Sequence, residues 1–367
     1  VHIPFCKTKC PYCDFYSVTA TDQVLAFLTA LDAEAQLYRH QFPAFDTLFL
    51  GGGTPSWLSE AHFAALLKIL HKHFTFALDS EITLEANPDD ITVPKLNLWR
   101  GLGINRLSLG VQSFDEAELQ FLGRRHTGGQ TRAAIELIRA AGFNNLGLDL
   151  IYGLPRQTAE AWINSLETAL RFKPEHLSCY QLTLADDTPM GRAAARGELM
   201  PLVEESQRKF FLATDQFLTQ RDYLHYEVAN FAREAEYLCR HNHKYWTHVP
   251  YLGLGPAAHS FDGQRRWWNH RSLHQYCTAL NAGQPPFAGQ ETLTPEQIRL
   301  ETLYLGFRIQ DGVPISIIRK HPRGDVILAE LVQGGLVRVD RDRVTATAHG
   351  LVVADGLPLR FSDEPAS

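Results

Sequence analysis

Three cysteines lie in the opening stretch VHIPFCKTKCPYCDFY (Val1–Tyr16), where Cys6, Cys10 and Cys13 stand at C-x3-C-x2-C spacing just after a short apolar run. Thiolates converging from one short loop after a strand suit an iron–sulfur cluster, which is normally held by cysteine. A [4Fe–4S] cube has four irons, so three protein ligands leave one iron open to a group that is not protein, like the open position of a catalytic metal site. A zinc knuckle is the competing reading. It needs a fourth Cys or His at knuckle spacing, which the neighbouring sequence lacks.

A second grouping is H-N-x-x-Y-W: His241, Asn242, Tyr245 and Trp246. An imidazole able to serve as axial ligand, beside two aromatic rings able to lie against a macrocycle, reads as a haem site. Cys239 and His243 are alternative ligands, and a loop anchored by aromatic packing accounts for the same residues without a ligand. GGGTP (Gly51–Pro55) lacks the G-K-[ST] ending of a phosphate loop and the Rossmann spacing. It fits a tight turn, or a backbone that a ligand approaches closely. Glu85, Gln112, Arg124 and Asp149 fall at or just past expected strand ends, where a helix cap or a surface ion pair would explain any one of them. Asp149 is the exception, because it interrupts the apolar run LGLDLIYG at an inward position and a buried carboxylate needs a partner. Cys179, in an apolar strand, reads as a small buried hydrophobe. His71 and His73 read as solvated helix positions.

The elements that position these residues alternate strictly. The apolar start is followed by a helix over Thr21–Gln41, with Val24, Leu28, Leu31, Ala35 and Tyr38 on one face. Strand Thr47–Pro55, helix Ser59–Phe74, strand Glu81–Pro88, helix Pro94–Leu102 and strand Ile104–Phe114 follow. Helix Thr131–Ala141 is stopped by Gly142, and strand Asn145–Pro155, helix Thr158–Phe172 and strand His176–Thr183 complete the series. Six strand–helix units imply a parallel sheet covered by helices, too short for eight strands: an α/β partial (β/α)6 barrel. Each strand ends in a polar or glycine-rich segment (the cysteine loop, GGGTP, EANP, GVQSF, YGLP, YQLT), so these should share the C-terminal rim. From Glu204 the pattern loosens into a helix to Gln220, a strand-like YLHYEVANF and aromatic and turn residues. From about Thr294 a small α+β module is expected: a helix Pro295–Phe307, an apolar stretch near Val326–Leu331 and two short strands in GLVRVDRDRVTATAHG, as in a winged helix. It lacks a basic recognition helix, so protein contact is expected rather than DNA. The tail from Asp363 is expected to fray.

Composition narrows the class. The 367 residues carry a formal net charge of −6, which argues against nucleic acid as a partner. No run reaches the ~18 apolar residues of a membrane span. The opening residues show no basic and apolar signal pattern, and the start on Val1 rather than methionine implies a beginning slightly upstream. The remaining cysteines, Cys179, Cys239 and Cys277, do not extend the cluster into a disulfide framework. A reducing, cytoplasmic setting is expected.

The motifs VHIPFCKTKCPYCDFY, GGGTPS, LEANPD, GINRLSLGVQSF, LGRRHT, DLIYGLPRQT, YEVANF and HNHKYW together resemble, over essentially the whole chain, the HemW branch of the oxygen-independent coproporphyrinogen III oxidase family. The first of them resembles the loop of the radical S-adenosylmethionine (SAM) superfamily, in which SAM chelates the open iron. The resemblance implies a radical SAM barrel with Cys6, Cys10 and Cys13 on a [4Fe–4S] cluster. It implies Tyr12, Gly52, Gly53, Thr54, Glu85, Gln112, Arg124 and Asp149 around SAM, and His241, Asn242, Tyr245 and Trp246 on haem. HemW proteins are regarded as haem chaperones, so a haem-accepting protein and an electron donor for the cluster are implied partners. No residue is assigned a catalytic role. The alternative is a coproporphyrinogen III dehydrogenase like the sister HemN enzymes. Those carry a further cysteine where this chain has Phe15, and a long N-terminal extension where five residues precede Cys6 here. The resemblance divides the chain into a barrel (1–230), a connecting region with HNxxYW (231–290) and a HemN-type winged-helix-like domain (291–367).

Overall fold

The computed structural model of the chain describes residues 1–362. The tail from Asp363 lies outside them. Six strands run parallel, side by side in chain order: β1 (His2–Ile3), β2 (Ala44–Gly52), β3 (Thr75–Ala86), β4 (Arg106–Gln112), β5 (Leu146–Tyr152) and β6 (His176–Gln181). The crossovers carry α1 (Val24–Tyr38), α2 (Glu60–His73), α3 (Val93–Gly101), α4 (Glu116–Phe121), α5 (Gly128–Ala140) and α6 (Ala159–Leu170). This is the expected partial barrel. After α7 (Pro189–Ala195) and α8 (Glu204–Thr219), the segment that reads as strand-like forms a hairpin, β7 (Leu224–Glu227) and β8 (Asn230–Ala232). It adds to β6 antiparallel, making eight strands. A hairpin turn reverses the chain without the long crossover that a parallel neighbour requires.

Local chemistry sets the helix ends. Ser59 Oγ accepts from His62 N at 3.2 Å to start α2, and Thr127 with Gln130 forms a capping box on α5. Gly142, at φ +82°, takes the left-handed position after α5. The expected apolar face of α1 is buried in full, Val24, Leu28, Leu31, Ala35 and Tyr38 together. His73 departs from expectation. It is buried, and its Nε2 meets Asp32 Oδ1 of α1 at 2.6 Å, because the end of α2 packs on α1 rather than facing water.

Strand residues of one parity (Leu50, Leu84, Leu107, Leu109, Leu148, Leu177) join Trp99, Ile135 and Trp162 of the helices in the main core. The other parity is polar and faces the barrel interior: Glu81, Thr83 and Glu85 on β3, Arg106 and Ser108 on β4, Asp149 on β5 and Ser178 on β6. Beyond the sheet, HNHKYW together with Arg240 forms a seven-residue helix, α9 (Arg240–Trp246). The aromatic stretch that follows becomes an antiparallel sheet of β9 (His259–Phe261), β10 (Arg265–Asn269) and β11 (Phe287–Thr292), with α10 (Leu273–Asn281) between β10 and β11. Trp267 of β10 anchors it, stacking on Tyr38 at 6.0 Å and donating to that hydroxyl. The last segment holds α11 (Pro295–Gly306), β12 (Val313–Pro314), α12 (Ile315–Ile318), α13 (Gly324–Gln333), β13 (Val337–Asp340), β14 (Arg343–Ala346) and α14 (Ala348–Val352). Its sheet runs β12-β14-β13 over a separate apolar cluster that includes Leu303, Phe307, Ile318, Leu331 and Val344.

Candidate functional site

The C-terminal ends of the parallel strands open onto a cavity of about 570 Å³, a volume suited to a cofactor-sized molecule. Cys6, Cys10, Cys13, Tyr12, Gly52, Gly53, Thr54, Glu85, Gln112, Arg124 and Asp149 all line it. Residues separated by more than a hundred positions therefore meet on one rim.

The cysteine loop is fixed from both sides. Cys6 N donates to Val18 O and Cys13 N to Cys10 O, while Met190 N, opening α7, donates to Pro11 O. Cys6 Sγ accepts from Thr54 Oγ1 at 3.3 Å, and Cys10 Sγ accepts from Arg124 Nη1 at 3.5 Å. Such donors stabilise a sulfur carrying negative charge, as cluster thiolates do. Three thiolates on one loop, two of them with hydrogen-bond donors, are the donor set of an iron–sulfur cluster.

The glycines earn their place through the chain's own atoms. A Cβ on Gly53 would lie within 2.9 Å of backbone atoms of Ile3 and Phe5, and one on Gly51 would lie 2.8 Å from the Glu85 carboxylate. Gly52 sits at φ +105°. Their smallness lets β1 and its cysteine loop close onto β2, and leaves the Gly52 and Gly53 backbone on the cavity wall. Opposite, β4 carries an irregularity between Gly110 and Gln112, and Gln112 takes φ +64°, which turns its side chain to the cavity.

Two carboxylates share the cavity floor. Burial and the neighbouring Asp149 raise Glu85 to about 7, although Gly52 N donates to its Oε2 at 3.2 Å. Asp149 is also raised by burial, against the Ser178 and Ser108 hydroxyls; Ser108 Oγ lies 3.0 Å from both carboxylate oxygens. A pair of desolvated acids calls for a cation or hydroxyl donors. SAM brings a sulfonium, an ammonium and a ribose, so this floor fits it.

Helix α9 lies deeper. Thr47 and Glu81, its main contacts, each precede the rim end of their strand by five residues, about 16 Å of strand. Glu81 caps it: Oε2 accepts from Arg240 N and Oε1 from His241 N, both at 3.0 Å. His241 is clamped by Thr47 Oγ1 on Nδ1 at 2.9 Å and Tyr245 Oη on Nε2 at 2.8 Å, and its ring stacks on Phe49 at 5.2 Å. Burial lowers its imidazole to about 3, so the ring stays neutral and keeps a lone pair for a metal. In the tautomer with Nδ1–H donating to Thr47, that lone pair is on Nε2, under the tyrosine hydroxyl. The cleft beside His241 is about 160 Å³, and Trp246 Nε1 and His243 Nδ1 are buried without hydrogen-bond partners among the described residues. The donor type fits haem iron, whereas a cleft of this volume requires α9 or its surroundings to move for a macrocycle. Asn242 sits on the same helix, half-buried, and the alternative ligand Cys239 is fully buried with its thiol pushed up to about 11 by burial.

Sequence reasoning missed Asn87, Ser108 and Tyr180, which also line the cavity, and Glu81 and Thr47, which hold α9. A signal existed for two of them. Glu81 shares the face of Glu85 by strand alternation, and Asn87 lies inside the EANP segment.

Residues 1–169 match the Radical SAM superfamily. Over 365 residues the chain is 33% identical to a Mycobacterium tuberculosis protein named Heme chaperone HemW, covering 97% of this chain and 92% of that one. It is 32% identical over 365 residues to the Bacillus subtilis protein of the same name, covering 97% and 96%. A solved structure of coproporphyrinogen III oxidase (HemN) from Escherichia coli, described as a radical SAM enzyme, superposes with a TM-score of 0.83 at 26% identity, over 99% of this chain and 89% of that one.

Proposed function

We propose, from the premise that this chain belongs to the HemW family of radical SAM proteins, that it binds haem at α9 and passes it to an acceptor protein. The scaffold would hold a [4Fe–4S] cluster on Cys6, Cys10 and Cys13, with SAM at the open iron. The observation carrying this reading is the clamp on His241: a neutral, half-buried imidazole whose Nδ1 is held by Thr47 while Nε2 is covered by a displaceable tyrosine hydroxyl. A second partner that fixes the ring is the usual companion of a metal-binding histidine.

Each residue has a role that its surroundings allow. Glu81 holds the first turn of α9 and so the ring's direction. Phe49 stacks on that ring and, with Tyr245 and Tyr251, supplies aromatic surface. Glu85 and Asp149 offer charge to SAM, Tyr12, Gln112 and Arg124 offer polar walls, and the Gly52–Thr54 backbone offers a close approach. When bound, a cluster on Cys6, Cys10 and Cys13 would supply reducing chemistry toward SAM. The reading also implies an electron donor, a cytoplasmic setting and no nucleic-acid partner. Among the described residues no helix is long and apolar enough to cross a membrane. It keeps the division into barrel (1–230), connecting region (231–290) and C-terminal domain (291–367).

The likeness to the HemN structure supports a second reading, a coproporphyrinogen III dehydrogenase. One experiment separates the two: anaerobic haem titration of cluster-reconstituted protein and of His241→Ala, with a coproporphyrinogen III turnover assay on the same samples. Stoichiometric haem binding lost in His241→Ala, without turnover, is the expected result. Turnover, with no haem bound by either protein, overturns the chaperone reading.

A further inference from the structure

Arg124 reaches the cysteine loop by two routes, and the second runs through a residue with no assigned role. Its Nη1 donates directly to Cys10 Sγ at 3.5 Å and to Tyr12 Oη at 3.4 Å. Its Nη2 donates to Gly110 O at 2.8 Å and to Asn87 Oδ1 at 2.5 Å. Asn87 Nδ2 in turn donates to Thr54 Oγ1 at 3.5 Å, and Thr54 Oγ1 donates to Cys6 Sγ at 3.3 Å. Asn87 is also held by its backbone, whose N–H donates to Ser56 Oγ at 3.1 Å, while Ser56 Oγ donates to the buried Asp90 at 2.8 Å.

The direction of every proton in this chain follows from its first member. A guanidinium has donors and no acceptor, so the amide atom facing Arg124 must be the oxygen of Asn87. The amide nitrogen then faces Thr54, whose oxygen must accept. With that lone pair engaged, the hydroxyl proton is left for the sulfur. An asparagine does this because it accepts at one end and donates at the other. Gly110 makes room for the arrangement: a Cβ there would stand 3.3 Å from Asn87 Oδ1 and 3.4 Å from Arg124 Nη2.

We propose that Asn87 is a positioning residue for the cluster. It relays the orientation of Arg124 to Thr54, so that one guanidinium governs donors to two of the three thiolates and thereby raises the cluster's reduction potential. Donors to sulfur favour the reduced, more negative cluster, and they are among the main means by which a protein sets its potential. The inference rests on the cluster-binding reading of Cys6, Cys10 and Cys13.

The test is a redox titration, followed by electron paramagnetic resonance, of anaerobically reconstituted full-length protein without SAM, with iron and sulfide measured on each sample. Thr54→Val removes the hydroxyl at nearly constant volume. At a fixed applied potential its ratio of reduced to oxidised cluster should fall on the order of tenfold, equal to a 59 mV shift for one electron. Asn87→Ala should shift the same way by less, and should add at most about twofold in the Thr54→Val background, since coupled residues are not additive. Thr54→Ser, which keeps the hydroxyl, should retain the wild-type potential. A wild-type potential in Thr54→Val at full iron and sulfide overturns the proposal, as does an Asn87→Ala shift that is undiminished in the Thr54→Val background. If wild-type protein takes up no four-iron cluster at all, the cluster reading itself fails and the proposal falls with it, a result that iron and sulfide analysis separates from the other two.

Discussion

SAM binding should depend on pH through Glu85. Its carboxyl is raised to about 7, first by burial and then by the Asp149 charge. Because the shift is upward, the folded protein holds this proton above the usual carboxylate range, and the group becomes anionic as pH rises through 7. A ligand bearing a sulfonium binds the anionic form, so affinity should increase with pH. If binding requires the anion, the apparent Kd at pH 6.0 exceeds that at pH 7.0 by a factor of about five, or ~1 kcal/mol. Isothermal titration of SAM into cluster-reconstituted protein at both pH values measures this directly. Repeating the pH 7.0 titration in buffers of different ionisation heat should reveal about half a proton more released per SAM bound by wild type than by Glu85→Gln, the difference isolating Glu85 from any proton the amino group sheds on chelating iron. Glu85→Gln should bind more weakly and flatten the pH dependence. An equal pH dependence in Glu85→Gln, or none in wild type, refutes the reasoning.

Other perturbations probe the remaining contacts. Tyr245→Phe removes the hydroxyl over His241 Nε2 and should leave haem binding intact with a faster association rate in stopped-flow absorbance; loss of binding would show that the hydroxyl itself holds the ligand. Glu81→Gln puts an amide nitrogen against backbone donors at the start of α9. It should cost about 1–3 kcal/mol in denaturant titration and weaken haem binding, while leaving iron content unchanged. Gly53→Ala forces a Cβ to within 2.9 Å of backbone atoms of Ile3 and Phe5. It should destabilise by about 1–3 kcal/mol and reduce iron incorporation at the adjacent loop, and full iron with unchanged stability would count against that packing.

The sequence by itself determined whatever depends on short spacing or on a two- or 3.6-residue period. Cys6, Cys10 and Cys13 occupy one loop, so their convergence is legible without any fold. The apolar face of α1 and the strict strand–helix alternation decide the order of the parallel strands, because each crossover returns the chain to the next position in the sheet. The polar strand ends then fall on one rim as a consequence.

Tertiary structure decided what depends on register between distant segments. His241 meets Thr47 across 194 residues, and Glu81 caps a helix 160 residues away. Neither pairing has a local signature, since a carboxylate that ends another element's helix looks in sequence like any strand residue. The seven residues of α9 are too few for periodicity to announce a helix, and their helical state rests on Glu81. The relay from Arg124 through Asn87 and Thr54 to Cys6 is of the same kind, joining the loop after α4, the end of β3, the turn after β2 and the cysteine loop. Hydrogen-bond direction depends on which donor faces which acceptor in space. That is settled when the strands pair, and it leaves no mark on residue spacing.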